Sequence, residues 1–288
     1  MHYLILSVIC SSSIFVILKL LAIRGIPSTP TILVSYGFGV LAGIINLEQP
    51  SNLLEVNLQT PWLAMGLIIG ALYVVCLLLI NGVTRLYGAT TSVIASRLSL
   101  AIPVIFSLWI FEATMGQASW TTYAGLTLAL VALSLSTYSR TPSPNLHKGM
   151  GWLPVVLFLI AGGLDVISNY ANLHYVRPQD AAIFSVAIFA TATVSAMLVL
   201  VVRPRPVSWH TFAFGLALGL VNFFGTYFII LGLHAFDNNG SLFFPIWNMG
   251  VILLSSTLGA LLFKEPINRY RRMGIGLALV AIGILSQA

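Results

Sequence analysis

Two charged residues stand inside apolar runs of this sequence, and they are the first candidates for chemistry. Arg97 lies near the middle of a stretch from 88 to 111 that holds no other charge. Asp165 is the one aspartate deep in a hydrophobic segment. A charge at the centre of a membrane helix costs about 2.5–3.5 kcal/mol on insertion scales. Both side chains therefore need a partner or a ligand that compensates this cost.

Two interpretations of the pair are open. In the structural one, Arg97 and Asp165 form an ion pair that joins the two halves of the chain. In the functional one, Arg97 binds an anionic group of a substrate, while Asp165, with Asn169 and Asn172, binds a cationic group. We favour the functional interpretation, because at 1.5 Å per residue the two charges lie roughly 14 and 22 Å into their helices. That axial offset is long for a direct pair.

Other polar side chains fall on single faces of the predicted helices. A helix places residues i, i+3, i+4 and i+7 on one face, and the first, third, sixth, eighth and ninth predicted spans each carry such a stripe. Nearby aromatic side chains suit a wall around a small organic molecule. The predicted substrate-binding residues are Arg97, Asp165, Ser168, Asn169, Asn172, Tyr73, Asn222, Thr226, Trp247, Asn248 and Ser11.

Each stripe also has a purely structural interpretation. Gly-x-x-x-Gly pairs, such as Gly66–Gly70 and Gly215–Gly219, more often mark close helix packing than a ligand contact. Serines in membrane helices usually bond to the carbonyl one turn back. For these small residues packing is the better prediction.

The composition is that of a membrane protein. Of the 288 residues, 58% are hydrophobic and 7% are charged, against roughly 25% charged in an ordinary soluble domain. The basic residues lie between apolar runs and form no amphipathic patch, so nucleic acid is not an expected partner. Cys10 and Cys76 lie inside apolar segments and support neither a disulfide framework nor a metal site. We expect no metal and no other cofactor.

The hydrophobic pattern predicts an all-α integral membrane protein with ten transmembrane helices. A helix needs about 20 apolar residues to cross the hydrocarbon core, and ten segments meet that length. They are 3–22, 29–47, 60–80, 88–111, 118–138, 150–171, 180–202, 208–232, 238–262 and 270–286. The polar, proline-containing stretch 141–149 is typical of a linker at the midpoint of the chain.

Basic residues fix the expected orientation of these spans. Eleven of the thirteen follow odd-numbered spans, Arg177 lies in a loop on the other side, and Arg97 lies within a span. Short loops rich in Lys and Arg stay cytoplasmic. Both termini are therefore expected on the non-cytoplasmic side.

Internal repetition predicts two inverted halves. The segment 62–82 resembles 209–232, with a tryptophan followed by Gly-Leu-x-x-Gly, and 111–133 resembles 263–285 in the same order. Because each half, 1–140 and 150–288, would hold five helices, the two must be inserted upside-down relative to each other. Inverted repeats of this kind enclose a central cavity in secondary transporters, with the site at the midplane.

The chain resembles the drug/metabolite transporter superfamily, and in particular its bacterial EamA-type members. The resemblance rests on the ten spans, on Glu112 and Glu265 closing the fourth and ninth spans, and on the sequences "SSIFVILK" (12–19) and "LLFKEPINRYRRMGIGLALVAIGIL" (261–285). The chain departs from the family at Cys10-Ser11-Ser12, where a tryptophan–glycine pair is usual, and at Ser35-Tyr36, where an arginine is common. The resemblance implies a central cavity lined by spans one, three, four, six, eight and nine, and it leaves the substrate open.

Enzymatic activity is not expected. Intramembrane hydrolysis needs a serine–histidine pair, two aspartates or a metal-binding histidine pair, and the chain shows no Gly-x-Ser-x-Gly, no His-Glu-x-x-His and one deep aspartate. A phosphate-binding loop for ATP is likewise missing from the sequence. We expect a secondary transporter that exports a small organic metabolite, an amino acid or a similar zwitterion, by alternating access.

Two alternatives stay open at this point. One is a transporter of an anionic metabolite or a nucleotide-linked sugar, and the other is a membrane receptor or scaffold that binds without transporting. The expected partners are the small-molecule substrate, the lipid bilayer and protons, which Asp165 could couple to transport. We expect a monomer in a bacterial inner membrane.

Overall fold

The fold is taken from a computed structural model, which describes residues 1–47, 59–87, 89–110, 119–137, 152–202, 207–264 and 269–285. Within these ranges the regular structure is helical and contains no strand, so the all-α prediction is confirmed there. The α-helices are α1 (His2–Ile23), α2 (Ser28–Ile45), α3 (Pro61–Tyr87), α4 (Ala89–Leu98), α5 (Ala101–Trp109), α6 (Trp120–Thr137), α7 (Trp152–His174), α8 (Ala181–Val202), α9 (Trp209–Ala235), α10 (Gly240–Phe263) and α11 (Arg269–Leu285).

Seven of the described helical segments are long and apolar enough to cross a membrane. They are α1, α2, the part Pro61–Thr84 of α3, α7, α9, α10, and α8 together with the short 3-10 turn Pro178–Asp180 that precedes it. Shorter apolar helical segments lie at 95–109, 120–135 and 272–285. The chain is an integral membrane protein by these lengths and compositions, while the count of ten spans and the inverted repeat stay predictions.

The fourth predicted span differs from a continuous helix. It consists of α4 and α5, which a turn at Ser99–Leu100 separates. Pro103 supplies the physical reason, because it has no backbone N–H for the carbonyl of Ser99 and its ring clashes with that carbonyl in a regular helix. The Ser99 carbonyl instead accepts a hydrogen bond from the backbone N–H of Ile102 at 3.0 Å.

The chain forms two compact units, and each consists of two separate segments of the sequence. The first unit comprises Met1–Val74 and Ala171–Ala235, and the second comprises Val75–Tyr170 and Phe236–Ala288. The predicted halves, 1–140 and 150–288, were defined by repetition and stay a prediction. The predicted linker 141–149 lies outside the described residues.

Two phenylalanine rings that pack against glycines of α2 lie in the core of the first unit. Phe189 of α8 and Phe223 of α9 are fully buried, and their ring centroids lie 6.0 Å apart in an edge-to-face arrangement. A β-carbon on Gly39 would collide with the ring of Phe189, and one on Gly43 would collide with that of Phe223. The small residues of α2 therefore admit these two rings.

Two further glycines bring helix backbones of the first unit into contact. A β-carbon on Gly70 of α3 would collide with the carbonyl oxygen of Ile188 in α8. A β-carbon on Gly219 of α9 would collide with the carbonyl oxygen of Ser35 in α2. Both glycines belong to the Gly-x-x-x-Gly pairs, whose structural interpretation as close-packing sites is thereby confirmed.

The second unit packs α11 against α6, and α10 against α5 and α6. Gly125 of α6 lets α11 approach closely, because a β-carbon there would lie 2.8 Å from the side chain of Leu285. A separate apolar cluster, made by Val83, Ala95 and Leu157, joins α3, α4 and α7. This cluster holds α4 and α7 together, and these are the helices that carry Arg97 and Asp165.

Reciprocal side-chain caps begin α6 and α9. The backbone N–H of Ser119 donates to Thr122 Oγ1, and that of Thr122 donates to Ser119 Oγ; Ser208 and Thr211 make the same pair of bonds. Such caps satisfy the N–H groups that a helix start leaves without intrahelical partners. The tryptophan that follows each serine is highly exposed, as interfacial anchors of membrane helices are.

Candidate functional site

Arg97 lies in the last turn of α4, next to the break in the fourth span. Its Nη1 donates a hydrogen bond to Oδ1 of Asn248 at 2.9 Å. The Nδ2 of Asn248 donates to the carbonyl of Phe244 one turn back in α10, at 3.1 Å. The amide of Asn248 is thus held by its own helix, and its oxygen fixes the guanidinium of Arg97.

Asp165 of α7 interacts with Arg97 through charge. Arg97 also bonds to Asn248. The two opposite charges therefore lie close enough to act on each other. A ligand with both charges could bind between them.

The break in the fourth span is the place where α7 approaches. A β-carbon on Gly162 would lie 2.8 Å from the carbonyl oxygen of Ser99 and would also collide with Ile102. Asp165 follows Gly162 by three residues and thus lies on the same face of α7. The close approach at Gly162 explains why Asp165 reaches the neighbourhood of Arg97.

Asn169 lies one helical turn beyond Asp165 and is completely buried. Both its Nδ2 and its Oδ1 lack a hydrogen-bond partner in the part of the chain that the structure describes. Gly240, at the start of α10, contacts this amide so closely that a β-carbon there would collide with Nδ2. A buried polar group without a partner costs about 1–3 kcal/mol, which makes Asn169 a candidate for a ligand contact.

The indole of Trp247 is a second donor of this kind. Its Nε1 is buried and has no hydrogen-bond partner among the described residues. Trp247 precedes Asn248 on α10 and lies seven residues after Gly240, which is about two helical turns. Arg97, Asp165, Asn169, Trp247 and Asn248 all belong to the second unit, and we refer to them as the Arg97 cluster.

The start of α10 is tied to α5 beside this cluster. The backbone N–H of Ser241 donates to Oγ of Ser107 at 3.1 Å, and Oγ of Ser241 donates to Oδ1 of Asn239 at 2.6 Å. Four residues later, Pro245 lies inside the helix and offers no N–H to the Ser241 carbonyl. Proline thus interrupts the backbone bonding of both helices that flank the cluster.

A repeated sequence pattern could have revealed this feature. Ser-Leu-x-x-Pro occurs at 99–103 and again at 241–245. In the first copy the serine and leucine form the break between α4 and α5, and in the second they begin α10. Because each proline removes the donor for the serine carbonyl four residues earlier, the pattern predicts a freed carbonyl twice. Hydrophobicity alone does not reveal these interruptions, because both segments have the apolar composition of a continuous membrane helix.

Five of the predicted site residues lie in the first unit and thus outside the Arg97 cluster. Asn172 Nδ2 donates to the carbonyl of Ile230 at 3.0 Å, a bond between α7 and α9. The ring of Tyr73 packs edge-to-face on Phe189 with centroids 6.3 Å apart. Asn222 and Thr226 are half-buried on α9, and a β-carbon on Gly225 would lie 3.9 Å from Ser11 Oγ.

Ser168 is half-buried on α7, one residue before Asn169. Glu112 and Glu265, which carry part of the family resemblance, lie outside the described residues.

Two arginines near helix ends interact with neighbouring side chains. Arg177 pairs with Asp180 at 2.8 Å, and this hydrogen bond raises the pKa of Arg177. Arg24, which follows α1, lies over the ring of Phe214 near the start of α9, 5.3 Å from its centroid. The C-terminal end of α1 and the N-terminal part of α9 therefore meet at one side of the first unit.

Comparison with known proteins gives relatives of the whole chain. No family model matches the sequence. An uncharacterized protein of Haemophilus influenzae is 26% identical over 293 residues, which cover 98% of this chain and 96% of that protein. A crystal structure of a protein with 16% sequence identity matches 97% of this chain and 98% of its own, with a TM-score of 0.64. The chain therefore shares its overall fold with that solved structure along nearly its full length.

Proposed function

We propose that the protein is a secondary transporter that exports a small zwitterionic metabolite, of the amino acid type, by alternating access. The observation that carries the proposal is the Arg97 cluster. It places a guanidinium, held by Asn248 at 2.9 Å, where it interacts through charge with the carboxylate of Asp165. Charged residues inside membrane segments are rare, and by default each is a hypothesis for a functional site.

The chemistry of the cluster fits a zwitterion. Arg97 is the group for a substrate carboxylate, because a guanidinium presents several N–H donors in a planar fork. Asp165 is the group for a substrate ammonium. A bound zwitterion would place its carboxylate against Arg97 and its ammonium against Asp165. A purely anionic metabolite would use Arg97 and repel Asp165, which makes it the weaker candidate.

Helix interruptions beside the cluster support alternating access. Transporters built from inverted repeats bind their substrates where membrane helices are broken, and here the break at Ser99–Leu100 and the proline inside α10 flank the site. The contacts of Gly70 and Gly219 lend the repeat some support. These glycines occupy corresponding positions in the two similar segments 62–82 and 209–232, and each brings its helix against a neighbouring backbone.

Membership of the drug/metabolite transporter superfamily, with an EamA-type arrangement of ten spans, belongs to the same proposal. The bacterial relative that matches nearly the whole chain supports a bacterial inner membrane as the location. The bias of eleven basic residues supports termini on the non-cytoplasmic side. Asp165 is the titratable group in the proposed path, so protons are the proposed coupling ion.

Transport by the purified protein in liposomes tests the proposal. With radiolabelled amino acids, we expect counterflow that Arg97→Gln and Asp165→Asn each abolish, while both variants still elute as folded protein. Arg177→Gln, which removes an exposed arginine that pairs with Asp180, is the matched control and should transport normally. Normal transport by Arg97→Gln would contradict the proposal.

The double variant Arg97→Ala/Asp165→Ala separates the structural from the functional interpretation. A structural pair predicts that each single change destabilises and that the double change restores stability. A binding role predicts folded single variants without transport and no rescue in the double variant. Loss of transport in Arg97→Gln with normal transport in Asp165→Asn would favour the anionic substrate instead.

A further inference from the structure

The proposed roles of Arg97 and Asp165 leave the amide of Asn169 unexplained. This side chain is completely buried, and neither of its polar atoms has a hydrogen-bond partner among the described residues. It lies one turn from Asp165 on α7 and against Gly240 of α10. Buried polar groups are nearly always hydrogen-bonded in folded proteins, so a group that meets this amide only in the bound state would account for it.

The chemistry of an amide restricts what that group can be. Asn169 offers two N–H donors and one carbonyl acceptor side by side. A carboxylate would accept from Nδ2 but would face the lone pairs of Oδ1, and an ammonium would meet the opposite conflict. A carboxamide satisfies both atoms at once, because it carries an acceptor and a donor in the same arrangement. An apolar group satisfies neither.

The spacing along α7 sets the length of the ligand. Asp165 and Asn169 are four residues apart on one helix face, which separates them by about 6 Å along the axis. An extended covalent chain advances about 3.3–3.6 Å for every three bonds. About five bonds therefore connect the charged end of such a ligand to the group that Asn169 meets.

We propose that Asn169 is the second binding point of the transported molecule, which is a zwitterion that carries a carboxamide, or a similar neutral donor–acceptor group, at its far end. The inference rests on the proposed transport function and names the substrate class of that site. Gly240 belongs to the same arrangement, because its lack of a side chain leaves α10 in contact with this amide.

Binding measurements on the purified full-length protein test the inference with three amino acids that share one charged end. Isothermal titration should show L-glutamine binding about tenfold or more tightly than L-norleucine, which lacks the amide, and than L-glutamate, which replaces it with a charge. In Asn169→Leu the preference for L-glutamine over L-norleucine should fall to about twofold or less. Asn81→Leu is the matched control and should keep the wild-type preference, since the amide of Asn81 bonds to its own helix at Leu77.

Thermal stability without ligand supplies an independent readout. Asn169→Leu removes two polar atoms without partners, so its melting temperature should equal or exceed that of the wild type. Asn172→Leu breaks the bond to Ile230 and should lower it by about 2–4 °C or more. Asn169→Ala is a second variant, because alanine lacks the bulk to clash with Gly240. A large fall in melting temperature in both Asn169→Leu and Asn169→Ala would make Asn169 a structural residue and overturn the inference.

The outcomes distinguish the inference from the function on which it rests. Equal binding of L-glutamine and L-norleucine, abolished in both cases by Arg97→Gln, would overturn the role of Asn169 and leave the transporter standing. If other amino acids bind but none of these three does, the role of Asn169 is likewise overturned and the transporter still stands. If no amino acid binds in a manner that depends on Arg97, the proposed function itself fails.

Discussion

The guanidinium of Arg97 donates to the side-chain oxygen of Asn248 across a sequence separation of 151 residues. The nitrogen of the same amide donates to the carbonyl of Phe244, so the orientation of the amide is fixed by its own helix. This bond holds the positive charge of the cluster against α10. It also makes position 248 a sensitive place to change the charge balance.

Asn248→Asp should keep the protein folded and weaken substrate binding. The new carboxylate would pair with Arg97 at nearly the same distance, and it would compete with the carboxylate of the substrate. Because the new ion pair is gained while the N–H bond to the Phe244 carbonyl is lost, we expect a melting temperature close to that of the wild type. The dissociation constant should rise by about a hundredfold, consistent with the 1.5–3 kcal/mol of a hydrogen bond to a charged group. Asn81→Asp is the control; unchanged substrate affinity in Asn248→Asp would remove Arg97 from the site.

The glycines at helix contacts should be intolerant of the smallest possible addition. Gly70→Ala and Gly219→Ala each place a β-carbon against a backbone carbonyl, so each should destabilise the protein by about 1–3 kcal/mol. Gly163→Ala provides the matched control, since nothing lies within 4 Å of its β-carbon. Unfolding in detergent measures the effect, and equal stability of all three variants would be the contrary result.

Replacing Pro103 with a residue that has a backbone N–H should slow transport without lowering stability. Pro103→Ala supplies an N–H that can bond to the carbonyl of Ser99, so α4 and α5 can join into one helix. We expect unchanged or higher stability together with transport slowed about tenfold or more. Pro154→Ala, in the first turn of α7 where no intrahelical acceptor exists, should transport normally. A fast Pro103→Ala variant would show that transport does not need the break.

The charge distribution predicts the sidedness of the chain. A reporter fused after Ala288 that works only in the cytoplasm should be inactive, while one that works only outside should be active, because eleven basic residues lie in the opposite loops. Lys264, which ends α10 in a left-handed conformation, should react with a water-soluble amine reagent from the cytoplasmic side only. Activity of the cytoplasmic reporter would reverse the proposed orientation.

The sequence predicts the helices far better than it predicts the partners of their side chains. Helix bounds follow the apolar runs, and α8 begins and ends within one residue of its predicted span 180–202. Hydrophobicity could not reveal the break at Ser99–Leu100, because its cause is the missing donor of Pro103 rather than a polar residue.

Periodicity has a similar limit within a single stripe. Asn169 and Asn172 lie on one face of α7 and were both predicted to bind substrate. The structure leaves the amide of Asn169 without a partner in the described part of the chain and ties Asn172 to the carbonyl of Ile230 in α9. A helical stripe identifies which residues share a face, and the neighbouring helices then decide what each residue contacts.

The break in the fourth span also explains how an arginine is tolerated at that depth. A continuous helix has no ends inside the membrane, whereas this one ends at Leu98 and begins again at Ala101. The end of a helix carries about half a negative charge on the carbonyls that lack an intrahelical donor. Arg97 lies in the last turn of α4, where the helix dipole favours a cation, so the break lowers the cost of holding its charge inside the membrane.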